Sequence, residues 1–151
     1  ELSENNLTIT LNRPDRLNAF TLRMKDEMVD ALAEADSNDD IRAVIVTGAG
    51  KVFCAGMEME PEGGGHLFGY DDAEGMEPPL ETIRDSGGEL SLAIYNCRKP
   101  VIAAINGAAV GVGITMTLPM DIPLPTRLTP LRIFAWWRPT AKSVLFLPSA
   151  V

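Results

Sequence analysis

The chain has 151 residues, enough for one domain with a real core, and at 46% hydrophobic and 23% charged it has the composition of a soluble globular protein. A formal charge of −8 excludes a nucleic-acid groove, which needs a basic stripe, so an anionic ligand would have to be gripped by local Lys, Arg or backbone N–H groups. No apolar run nears the ~20 residues of a membrane span, and with a single histidine, His66, and two cysteines, Cys54 and Cys97, no zinc site is expected and the thiols read as free in a reducing compartment.

The polar, acidic start from Glu1 to Asn6 is neither a signal nor a transit peptide, and it lacks an initiator Met. Leu7-Thr8-Ile9-Thr10-Leu11 alternates apolar and polar residues, as a half-buried strand does. Asn12-Arg13-Pro14-Asp15 breaks it. Thr21 is the expected N-cap of a helix to about Ala35, with Leu22, Met28, Val29 and Leu32 roughly on one face. Ser37 to Asp40 is a loop. Ala43 to Thr47 is a continuous β-branched run, the mark of a strand covered on both faces. Phe53-Cys54-Ala55-Gly56 is a short buried segment ending at a glycine. Glu60 to Pro79, rich in Gly, Pro and acids, reads as a mobile loop. A helix is expected over Glu89 to Asn96, and a second buried strand over Pro100 to Ile105. Asn106-Gly107 turns that strand into Ala108-Ala109-Val110-Gly111-Val112-Gly113, where a helix begins and runs to about Leu118. The order of elements predicts α/β layers with right-handed crossovers.

After Asp121 the character changes. Five prolines fall between Pro123 and Pro148, no helical or strand period survives, and no Asp or Glu occurs. The expected division is therefore residues 1–122 as the domain and 123–151 as an irregular tail in which the Trp136-Trp137 pair carries no binding role.

Two segments share one design, a buried strand followed by a turn of small residues: Val52 to Glu58, and Ile105 to Gly113. Glycines there can aim backbone N–H groups at a ligand, and a helix beginning near Val112 adds its positive end. The competing reading is that small residues merely permit close packing. The glycine spacing is no dinucleotide fingerprint.

These segments also carry a family resemblance. Leu11-Asn12-Arg13-Pro14-Asp15-Arg16-Leu17-Asn18-Ala19, then Phe53-Cys54-Ala55-Gly56-Met57-Glu58, then Lys99 to Gly107 with Ala109 to Gly113, and finally Met120-Asp121 resemble, in order, the motifs of the enoyl-CoA hydratase/isomerase (crotonase) family. The resemblance implies a spiral of ββα turns, incomplete at the C-terminus, that handles acyl-CoA thioesters. It implies an oxyanion hole made by the N–H groups of Met57 and Val112, which holds the thioester carbonyl as it becomes an enolate. It places Ala55, Gly56 and Gly111 in the acyl-CoA site, and it offers Arg13 and Arg16 to the CoA phosphates. No cofactor or metal is implied, since CoA arrives with the substrate.

The sequence departs from the family pattern at Thr115, where hydratases carry a glutamate, and nothing after Asp121 matches the family's second acid. A threonine hydroxyl cannot serve as a general base near neutral pH unaided. Isomerisation is therefore expected ahead of hydration, with a catalytically inactive, truncated or frameshifted fragment as the alternative. The parent protein is expected to form a homotrimer or hexamer and to be intracellular, cytoplasmic ahead of peroxisomal or mitochondrial. Among other candidates, Cys54 reads as a small core residue and His66 as an exposed loop residue. Glu58, Glu60, Glu62, Asp71 and Asp72 read as a solvated loop face that could supply a substitute acid. Met57 and Met59 either line an acyl pocket or fill core.

Overall fold

The computed structural model describes residues 1–59 and 85–125. His66, Glu60, Glu62, Asp71, Asp72 and the Trp136-Trp137 pair lie outside the described residues, as do the loop expected over 60–79 and the tail beyond residue 125.

Strands β1 (Leu2–Ser3), β2 (Asn6–Leu11), β3 (Ala43–Gly48), β5 (Val101–Ile105) and β7 (Ile122–Pro125) form one sheet in the order β1-β2-β3-β5-β7. Only β1 runs antiparallel to its neighbour; the other pairs are parallel. Strands β4 (Val52–Cys54) and β6 (Ala108–Ala109) pair in a second, smaller sheet. Helices α1 (Leu22–Ser37), α2 (Ser86–Asn96) and the single turn α3 (Val112–Thr115) fill the crossovers. The chain thus goes twice through strand, strand, helix: β3-β4-α2, then β5-β6-α3. Each turn of this spiral lays one strand in each sheet.

The core explains the order. Val44, Val46, Val101, Ala103 and Ile105 on one face of the large sheet cluster with Met24, Met28, Leu32 and Ala35 of α1, Leu90 and Ile94 of α2, and Phe53, Cys54 and Ala109 of the small sheet. The face of α1 differs from the expected one. Leu22 is 36% exposed, because it lies nearly opposite Met24 on the helical wheel, and Met24 is the residue turned inward. Strand β3 also differs: Val44, Val46 and Gly48 are sealed, while Ala43, Ile45 and Thr47 stay half-buried.

Thr21 caps α1 as expected, its side chain accepting from Met24 N–H at 3.1 Å. Helix α2 begins three residues before the expected Glu89, at Ser86, because Asp85 caps it by accepting from Gly88 N–H. Helix α3 stops at Thr115 instead of reaching Leu118. The sheet runs past the expected boundary at residue 122: β7 pairs with β5 through Ile105 and Pro125. β7 is an edge strand, so its prolines interrupt the ladder on one side only.

Candidate functional site

Two carboxamides set the site's frame. Asn18, with no exposed surface, accepts from Arg13 N–H at 2.9 Å and donates to the carbonyls of Ala49 at 2.9 Å and Val52 at 2.7 Å. Asn106 accepts from Gly48 N–H at 3.0 Å and donates to the carbonyls of Gly48 at 2.7 Å and Gly50 at 3.0 Å. Both clamp the β3–β4 turn, one from the chain before α1 and one from the end of β5. The sequence places Asn106 in a turn and Asn18 in a family-like motif, since nothing in a local pattern reveals partners 31 to 58 residues away.

From that frame the two small-residue turns emerge side by side. Gly56 has φ +109° and Gly111 has φ +52°, values that a side chain strains to adopt. The turns touch: a Cβ on Gly111 would sit 3.9 Å from Gly56 Cα. Gly113 lets α3 rest on β4, since a Cβ there would meet Cys54 O at 2.6 Å. Each positive-φ glycine directly precedes one of the residues singled out as donors, Met57 and Val112.

Backbone accounting shows why these two N–H groups are free. Phe20 donates to Gly56 O at 2.7 Å and accepts from Glu58 N–H at 2.9 Å, which turns the intervening Met57 N–H away from Phe20. Val112 is the first residue of α3, where an amide has no intrahelical acceptor. Among the described residues neither amide has a partner.

Met57, Gly111, Val112 and Thr115 line one cavity of about 410 Å³. The opposite wall is the first turn of α2, from Asp85 to Gly88 with Ser91. The walls are close, since a Cβ on Gly87 would lie 3.7 Å from Val112 Cγ2. Thr115 is exposed, and its hydroxyl reaches only its own helix, donating to Val112 O at a long 3.4 Å.

The other candidates fall elsewhere. Ala55 N–H donates to Leu17 O at 3.1 Å, and neither Ala55 nor Gly56 lines the cavity. Arg13 is held inside the fold, donating to Ala19 O at 2.8 Å and pairing with Glu58 at 3.1 Å. Arg16 is exposed on the turn after β2, away from the cavity. Glu58 departs from its expected place on a solvated face: its side chain is 14% exposed and is paired with Arg13. Met59 is 73% exposed, so it fills no core. Cys54 is wholly buried, its thiol donates to Gly56 O at 3.9 Å, and burial pushes the thiol above its ordinary value. Among the described residues no group of His, Cys, Asp and Glu could hold a metal ion, and no helix is long and apolar enough to cross a membrane.

The wall built by α2 was missed from sequence. Gly87-Gly88 are poor helix formers and masked the start of the helix. The cue that could have found it is Asp85 three residues before Gly88, the spacing of a side-chain N-cap.

The family described as "Enoyl-CoA hydratase/isomerase" matches residues 1–127 of the chain. An enoyl-CoA hydratase of Alternaria alternata is 49% identical over 114 residues, 76% of this chain and 35% of that protein. The 1,2-epoxyphenylacetyl-CoA isomerase of Escherichia coli is 35% identical over 122 residues, 80% of this chain and 44% of that protein. The crystal structure of an enoyl-CoA hydratase/isomerase from Pseudoalteromonas atlantica superposes with a TM-score of 0.63 at 30% identity, covering 83% of this chain and 44% of that one. The chain thus spans less than half the length of each of these relatives.

Proposed function

The chain belongs to the enoyl-CoA hydratase/isomerase family, and on that premise we propose that its cavity holds an acyl-CoA thioester for double-bond isomerisation. The Met57 and Val112 N–H groups donate to the thioester carbonyl oxygen. As a proton leaves the acyl chain, charge builds on that oxygen, and two fixed donors stabilise it without reorganising. The observation that carries this reading is the pair of backbone amides without a partner among the described residues, each following a positive-φ glycine and both on one cavity. Because the donors are backbone groups, methionine and valine serve as well as any other side chain.

Thr115 supports isomerisation ahead of hydration. Hydration needs a carboxylate to activate water, and the Thr115 hydroxyl cannot supply one. Isomerisation needs only one proton carrier, moved from one carbon to another. The same departure at Thr115 also favours a second reading, an acyl-CoA-binding chain without turnover.

Thermal melting of the 151-residue chain tests the proposal. A ligand that binds only the folded state stabilises it by about 2.7 kcal/mol at a hundred times its dissociation constant. Butyryl-CoA is expected to raise the midpoint with dose, and further than S-butyl-CoA, the thioether that lacks the carbonyl oxygen. Equal shifts from the two ligands would remove the oxyanion hole from the reading. A midpoint indifferent to both would remove acyl-CoA binding altogether.

A further inference from the structure

Asp85 stands where a proton carrier is needed. Its carboxyl lines the same cavity as Met57, Val112 and Thr115, and it is the one acid among the cavity's described lining residues. The other acids nearest the two turns are committed elsewhere, Glu58 to Arg13 and Asp121 to the Val101 N–H at 2.8 Å. Asp85 differs from both. Oδ1 accepts the Gly88 N–H, and Oδ2 has no partner among the described residues. The cap thus fixes the carboxylate through one oxygen, on an exposed residue that lines the cavity. Across the gap lies Val112, whose Cγ2 and Asp85 Oδ1 both lie within contact distance of one methyl-sized position at Gly87.

We propose that Asp85 is the catalytic proton carrier of this cavity, a role that rests on the acyl-CoA reading above. Asp85 takes a proton from the α-carbon of a β,γ-unsaturated acyl thioester. The C–H electron pair forms a double bond between the α-carbon and the carbonyl carbon, and the negative charge comes to rest on the carbonyl oxygen between Met57 N–H and Val112 N–H. The Asp85 carboxylic acid then gives its proton to the γ-carbon, the charge leaves the oxygen as the double bond settles between the α- and β-carbons, and the carboxylate is restored. No atom or electron is gained or lost, so no oxidant, reductant or metal enters the balance.

The position suits a clean test, because asparagine caps helices as well as aspartate does. Asp85→Asn keeps the acceptor for Gly88 N–H and removes the base. The experiment incubates the 151-residue chain with a β,γ-unsaturated butenoyl thioester of CoA in heavy water. Proton NMR reads deuterium entering the acyl chain, and calorimetry reads binding. The wild-type chain is expected to exchange. Asp85→Asn is expected to bind and melt like wild type but to exchange roughly 10²–10⁴ times more slowly, the usual worth of a positioned general base. Asp85→Glu restores part of the exchange. Wild-type exchange in Asp85→Asn would overturn the role of Asp85. A wild-type chain that binds the thioester and exchanges nothing would overturn it too; in both cases acyl-CoA binding stands, and in the latter only the reading without turnover remains. A wild-type chain that does not bind the thioester would sink that reading and this one together.

Discussion

Replacing Asn18 by alanine removes a fully buried carboxamide that makes three hydrogen bonds to backbone groups. The loss has two parts. Arg13 N–H, Ala49 O and Val52 O lose their partner in a site closed to water, and each orphaned group costs about 1–3 kcal/mol, less where a small shift admits solvent. Asn18 also sits at φ +54°, in the left-handed region, where asparagine is tolerated and alanine costs roughly 1–2 kcal/mol. Together these predict a destabilisation of about 4 kcal/mol, a large share of the ~5–15 kcal/mol that holds a domain together. Urea unfolding of wild type, Asn18→Ala and Asn18→Gly measures it through the midpoint at constant m. Glycine relieves the backbone term and leaves the hydrogen-bond term, so Asn18→Gly should fall between the other two. A loss below about 1 kcal/mol for Asn18→Ala would refute the clamp as a principal support of the β3–β4 turn.

Two further outcomes follow from groups away from that clamp. Ser86 is 4% exposed and its hydroxyl has no partner among the described residues, so Ser86→Ala should stabilise the chain by about 1 kcal/mol in urea unfolding; a loss of stability would reveal a partner for the hydroxyl. Asp36 accepts from Arg98 N–H at 2.7 Å and from its guanidinium, and these contacts, the backbone one foremost, hold its carboxyl below the ordinary 3.8. A lowered folded value stabilises above the unfolded value and is lost as pH falls through the folded one. Asp36→Asn should therefore flatten the stability–pH curve below about pH 4 and leave its shape at neutral pH alone, and an unchanged acid limb would dismiss the contact.

Most of the architecture was legible because it rests on local pattern. Alternation marked β2, β-branched runs marked β3 and β5, and Thr21 announced α1. Positions that depend on distant partners were not legible. The inward face of α1 is decided by which residues meet the sheet, so Met24 displaced Leu22. Glu58 looked like one more acid in an acidic stretch until Arg13 folded back onto it. The two small-residue turns on the cavity were visible because a glycine's freedom is a local property, while Met57 and Val112 within them were named by family resemblance. The cavity's opposite wall was not visible, because α2 comes to the cavity through packing against α1 and Val112, and its own first turn reads as a glycine break.

The edge strand β7 has a consequence for how the chain behaves in concentrated solution. Asp121 N–H donates to Val101 O at 2.9 Å, and along a parallel strand the inward-facing nitrogens recur every second residue. Pro123 and Pro125 therefore turn their nitrogens toward β5, where they donate nothing, while the amides of Ile122 and Leu124 face outward. The two side chains are 45% and 54% exposed, and among the described residues no strand pairs with this edge. Prolines usually blunt a sheet edge, but here they fall on the inner register and leave the outer donors intact. β7 is thus a template for any extended segment that reaches it, and the colloidal behaviour of the chain turns on what occupies that rim.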